Sequence, residues 1–114
     1  MELTEVMKAL ADTNRLRILN LLGDQTLCVC DLEDVLRLNQ SNLSRHLAKL
    51  KQAGLISARK QGLFAYYSRR ALPEPYNRVV EEVCNAMLET KEWAADRQAL
   101  TGRSACSPVL LPSG

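Results

Sequence analysis

Apolar residues recur along the chain at helical spacing, interrupted once by a segment with strand spacing. Leu3, Val6, Met7 and Leu10 fall at i, i+3, i+4, i+7, one face of a short first helix. Asp12 and Thr13 break that face, and either can cap a second helix. Leu16, Ile18, Leu19, Leu21 and Leu22 mark that helix as strongly apolar, and Gly23 ends it. Thr26 to Val29 is short enough to be extended. Asp31 to Leu38 reads as a two-turn helix with Leu32, Val35 and Leu36 inward, and Asn39 as the N-cap of a fourth helix running through Ala53 to a stop at Gly54. Ile56–Lys60 and Phe64–Ser68 read as strands around Gln61-Gly62, a hairpin signal. After a break at Pro73 and Pro75, the stripe Tyr76, Val79, Val80, Val83, Cys84, Met87 and Leu88 predicts one long last helix. Residues 101–114 are small, polar and Pro-containing, and the expectation there is a flexible tail behind a single domain of residues 1–100.

Two helices joined by a short turn and followed by a two-stranded hairpin describe a winged helix-turn-helix, mostly α with a small β-hairpin. On the fourth helix Leu43, Leu47 and Leu50 repeat at i, i+4, i+7 and must be buried, which turns Ser41, Arg45, Ala48 and Gln52 the opposite way. Gln40, Ser44 and Lys49 flank that outer face. Such a polar face is ordinary on a surface helix. Here a basic hairpin follows it, with Arg59 and Lys60 before the turn and Arg69 and Arg70 after the second strand. Gln, Ser and Arg at the start of a helix supply the donors and acceptors that read base edges, and a basic wing suits phosphate or minor-groove contact. The candidate DNA-binding residues are therefore Gln40, Ser41, Asn42, Ser44, Arg45, His46, Lys49, Arg59 and Lys60, with His46 read as packing the helix or touching a phosphate.

Composition then narrows the function. At 114 residues the chain makes one domain of the usual size, and 46% hydrophobic content with only 4% aromatics calls for an aliphatic core. No apolar run approaches the roughly 18 residues of a membrane span. The N-terminus lacks the basic and apolar regions of a signal peptide, so a cytoplasmic location is expected. Net charge is only +2, so positive charge must be concentrated on the fourth helix and wing while acidic helices offset it.

Four cysteines remain: Cys28, Cys30, Cys84 and Cys106. In a reducing compartment a disulfide framework is the weaker expectation, and no pair of Cys-x-x-Cys knuckles offers a zinc site. The Cys28-Val29-Cys30 pair suits soft-metal or redox chemistry. Residues at i, i+2 on an ideal helix point about 200° apart, so one shared centre requires extended backbone at the pair. Cys30 as an N-cap would place Glu33 at the capping-box position. Cys84 on its apolar stripe is most simply a small buried residue. There is no second acid–base constellation, and the single His lies on the fourth helix, so the chain is read as a non-enzyme.

At these residues the chain resembles the ArsR/SmtB family of metal-sensing winged-helix repressors. The matching stretches are residues 9–19, the Leu27-Cys28-Val29-Cys30-Asp31-Leu32 string, residues 38–47 and Ala53-Gly54-Leu55-Ile56. The resemblance implies a homodimer through the first and last helices that binds an inverted-repeat operator of double-stranded DNA. The cysteine string is similar to the arsenic- and antimony-responsive branch, which implies release from DNA when trivalent arsenic or antimony binds thiolates. The chain departs from that branch at Glu33, where its best-known motif carries a third cysteine. Cys28 and Cys30 are then the implied ligands, with Cys84 or Cys106 as candidates for a third, or with two thiols sufficing for methylarsenite. The family's zinc site on the last helix needs histidines that are missing here. A redox or persulfide switch at the same pair is the alternative.

Overall fold

A computed structural model describes residues 2–102 of the chain. The elements run α1 (Leu3–Leu10), α2 (Thr13–Leu22), β1 (Leu27–Cys28), α3 (Val29–Leu36), α4 (Gln40–Gln52), β2 (Ile56–Gln61), β3 (Phe64–Arg69), α5 (Tyr76–Glu89), a 3-10 turn (Lys91–Trp93) and α6 (Ala94–Thr101). The expected winged helix-turn-helix is present: α3 and α4 are joined by a three-residue turn and followed by the β2–β3 hairpin. The hairpin closes on a two-residue loop, Gly62-Leu63, between the paired Gln61 and Phe64. Gly62 sits at φ 61°, the positive region such loops require.

The wing is a three-stranded antiparallel sheet of order β1-β3-β2, because the two-residue β1 pairs Leu27 with Tyr67 and Cys28 with Tyr66. Side chains alternate across this sheet. Leu27, Tyr67 and Ile56 belong to the aliphatic core, which also takes Ile18, Leu19, Leu22, Leu32, Leu43, Leu47 and Leu50. Cys28, Tyr66 and Arg59, paired across the three strands, share the other face.

Two expectations are corrected. The third helix begins at Val29 rather than Asp31 and ends at Leu36, because Cys28, still extended at φ −76°, ψ 151°, is its N-cap. Arg37 closes it in the left-handed conformation, φ 57°. The long last helix is two. Thr90 adopts extended geometry, and α6 folds back to pack on α2 and α3. Polar contacts hold it there: Arg17 donates from Nε and Nη2 to the two carboxylate oxygens of Asp96 at 2.7 and 3.1 Å, and Asn20 Nδ2 donates to the Trp93 carbonyl at 2.9 Å. These partners lie more than seventy positions apart, so no local pattern announces the turn. The apolar stripes expected at the dimer interface are also divided. Val6, Leu10, Val80, Cys84 and Met87 are consumed by the protomer's own core, while Leu3, Met7 and Leu88 stay exposed. Residues 103–114, with Cys106 and most of the expected tail, lie outside the described residues.

Candidate nucleic-acid interface and cysteine site

The α4 stripe is buried as its spacing requires, with Leu43, Leu47 and Leu50 almost wholly inaccessible. Gln40, Ser41, Ser44, Arg45 and Lys49 are exposed, and Asn42 is half-buried. Asn39 caps the helix, its Oδ1 accepting from the Asn42 N–H at 2.8 Å. Asn42 Oδ1 in turn accepts from the Arg45 guanidinium, which orders the first turn of the outer face. Arg59 and Lys60 are exposed on β2, and as neighbours on a strand they point to opposite faces of the wing. Arg69 does not join them. Its guanidinium is turned onto Glu81 of α5, an ion pair that fixes the wing's base.

His46 is separated from the other α4 candidates. Its side chain is only 12% exposed and faces the α1–α2 junction. There Arg15, a buried cation in the first turn of α2, donates from Nε to the Ala9 carbonyl at 2.7 Å and from Nη2 to the Lys8 carbonyl at 3.0 Å. Its Nη1 lies 3.3 Å from His46 Nδ1. Asp12 caps α2 by accepting from the Arg15 N–H at 3.1 Å and lies 3.8 Å from the same imidazole nitrogen. Burial pushes the His46 pKa down; Asp12 pulls it back, and Arg15, Arg45 and Lys49 push it down again, leaving it below 6.5. Burial raises the Asp12 carboxyl, but the Arg15 backbone hydrogen bond and the charges of His46 and Arg15 outweigh it and hold the group below 3.8.

Cys28 and Cys30 meet at the junction of β1 and α3, joined as a disulfide with their Cα atoms 5.3 Å apart. The backbone is extended at Cys28, as one centre shared by the two sulfurs requires. The angular argument against i, i+2 contact applies only within a helix. Cys28 is the extended cap and Cys30 stands in the first turn, so the sulfurs converge without unwinding α3. The capping box is also shifted by two residues. Cys28 Sγ accepts from the Cys30 N–H at 3.2 Å, and the Asp31 carboxylate, not Glu33, accepts from the Cys28 N–H at 3.3 Å. Cys28 is 1% exposed, and Cys30 is half-buried and reachable.

Cys84 is a buried free thiol on α5. Burial raises its pKa, which Arg69 opposes and Glu81 reinforces, so it is a poor thiolate. Among the described residues no group of three or more His, Cys, Asp or Glu side chains converges to hold a metal ion, so Cys84 does not join the Cys28–Cys30 pair within one chain. Cys106 lies outside the described residues. No described helix is long and apolar enough to cross a membrane.

The model of the bacterial regulatory protein arsR family matches residues 12–58, from the α2 cap into β2. The arsenic resistance transcriptional regulator ArsR1 of Pseudomonas putida is 37% identical over 106 residues, covering 91% of this chain and 83% of its own. The chain belongs to the arsR family. The arsenical resistance operon repressor of Escherichia coli is 47% identical over 64 residues, 55% of each chain. Among solved structures, HlyU from Vibrio cholerae superimposes with a TM-score of 0.66 at 32% identity, covering 75% of this chain and 91% of that one.

For this arsR-family regulator, sequence reasoning missed Arg15 and Asp31 as organisers of the site. Both carried a signal: each is a charged residue three positions after an extended cap (Asp12, Cys28), where a side chain can reach back to the preceding backbone.

Proposed function

We propose that the chain is a homodimeric transcriptional repressor of an arsenic-resistance operon, binding an inverted-repeat operator and released when trivalent arsenicals or antimonite bind the Cys28 and Cys30 thiolates. The observation that carries this reading is the double use of Cys28 Sγ, which caps α3 and meets Cys30. A ligand bound there competes with the cap of the first helix of the DNA-binding pair. Three residues beyond that helix α4 begins, so a change in α3 is transmitted to the base-reading face. The cross-strand row of Cys28, Tyr66 and Arg59 gives the pair a second route, into the wing. By linkage, release requires only that the inducer bind the DNA-free conformation more tightly. Two converging thiols match the two open valences of a methylated arsenical. Arsenite and antimonite have three, and a third thiolate from Cys106 or from a partner subunit would complete them. Exposed Leu3, Met7 and Leu88 on α1 and α5 supply the apolar surface for the dimer, which places two α4 helices to read two half-sites.

The Cys28–Cys30 disulfide favours a second reading, a redox switch. A peroxide would oxidise the two thiols to the disulfide, with two protons and two electrons passing to the peroxide to give water. One experiment separates the readings: DNA release by arsenite, methylarsenite, antimonite and peroxide for reduced wild type and for Cys→Ser at 28, 30, 84 and 106. Metalloid release lost at positions 28 and 30 supports the metalloid sensor. Release by peroxide alone replaces it with the redox switch, and release by all four agents from Cys28→Ser overturns both.

A further inference from the structure

The cluster of Asp12, Arg15 and His46 lies behind the recognition helix, outside both the cysteine site and the exposed α4 face. Three elements meet there. Arg15 is bound to the last carbonyls of α1, where Ala9 accepts from its Nε and Lys8 from its Nη2. Its remaining nitrogen reaches α4 through His46. A guanidinium only donates, so the contact requires Nδ1 of His46 to be an acceptor and the ring to be neutral. The charged groups facing the ring are Asp12 and Arg15 from the start of α2 and Arg45 and Lys49 from α4 itself; α1 presents carbonyls to Arg15 rather than to the ring.

We propose that Arg15 and His46 form a positioning joint for DNA binding: Arg15, clamped to the end of α1, holds the recognition helix through the neutral imidazole, and protonation of His46 releases it. A protonated Nδ1 can no longer accept from Arg15, and two cations then face each other about 3.3 Å apart. The ring's remaining partner is Asp12, 3.8 Å away, whose other task is to cap α2. Acid therefore exchanges a contact that fixes α4 for one that loads the α2 cap. Because α1 carries exposed Leu3 and Met7, the same joint ties a candidate dimer helix to the base-reading helix.

The proposal rests on the DNA-binding reading, and the sign of its pH dependence distinguishes it from a direct contact. A histidine touching a phosphate binds DNA more tightly when protonated; a positioning histidine of this kind binds more weakly. The test uses the full-length reduced chain and a duplex that the wild type selects from a random-sequence pool at about pH 7.5. Affinity at constant salt is then compared between about pH 7.5 and 5.5 for wild type, His46→Gln and Arg15→Lys, with helical circular dichroism recorded alongside. Wild-type binding is expected to weaken about tenfold more on acidification than that of His46→Gln, in which a neutral acceptor cannot titrate. Arg15→Lys, which keeps the charge but loses the fork, is expected to bind roughly tenfold more weakly at the higher pH with its helix content intact. Parallel pH profiles for wild type and His46→Gln, tighter wild-type binding in acid, or full affinity in folded Arg15→Lys would each overturn the proposal. Failure of the wild type to enrich any duplex would instead sink the DNA-binding reading on which it stands.

Discussion

The starts of α3 and α4 are built alike and face opposite ways. Each is capped by a residue of extended backbone whose side chain accepts a backbone N–H of the first turn: Cys28 from Cys30, and Asn39 from Asn42. The Cys28 cap is buried between the sheet and the helix, whereas the Asn39 cap is exposed. A buried cap made of a thiol is sensitive to anything that claims the sulfur. An exposed cap made of an amide leaves the helix start open to a ligand of its own. Under the proposed function, one local device serves as a trigger in α3 and as a platform in α4. The left-handed Arg37 and the two residues after it are all that separates α3 from the Asn39-capped helix.

The comparison is broken most forcefully on the α4 side. Arg45→Ala removes the exposed guanidinium from the outer face without touching the leucine stripe. DNA affinity is expected to fall by about 1–3 kcal/mol while the melting temperature holds, measured by anisotropy on a selected duplex and by calorimetry. A fall in melting temperature of matching size would return Arg45 to a structural role.

Exchanging the caps has a smaller effect and sharpens the contrast. Asn39→Ala is expected to cost about 1 kcal/mol of unfolding free energy and to weaken DNA binding. Cys28→Ser keeps a capping oxygen, so its stability should change by less than Asn39→Ala while its response to methylarsenite disappears. Urea titration and DNA release on the same variants give both numbers. A large stability loss in Cys28→Ser would mean that the sulfur's packing, not its cap, holds the start of α3.

Smallest is the effect of pH on stability. The folded chain resists protonating His46, whose unfolded form titrates near 6.5, so the protein loses stability as the pH falls below that value. Asp12 acts in the same direction at lower pH, since its stabilisation is present above 3.8 and is lost as the pH falls through its depressed folded value. Urea midpoints should therefore decline with acid in two windows, and His46→Gln should flatten the upper one and, by removing one of the charges that depress Asp12, shrink the lower.

How much of this was legible depended on how local the determining contacts are. The α4 face followed from Leu43, Leu47 and Leu50, because one buried stripe fixes the orientation of every other side chain on a helix. The wing followed from Gly62 and the strand-like residues on either side. The α3 start was misplaced by two residues because a thiol is an uncommon cap, and because β1, which holds Cys28 extended, exists only through pairing with Tyr66. The spacing already set His46 beside the leucine stripe, three positions after Leu43, but its partner Arg15 stands thirty-one positions earlier and no local pattern announces it.

By itself, then, the sequence determined the winged helix-turn-helix, the exposed polar face of α4 and the placing of the Cys28–Cys30 pair ahead of the first helix of that unit. These rest on periodicity, turn residues and a short motif, all of which act within a few positions along the chain. Tertiary structure decided where the cysteines sit relative to the helix start, which stripe residues remain available to a partner, and that the last helix folds back. It also brought Arg15 to His46. Each of these depends on a hydrogen bond, an ion pair or a buried contact between residues distant in sequence, and only the folded chain brings them together.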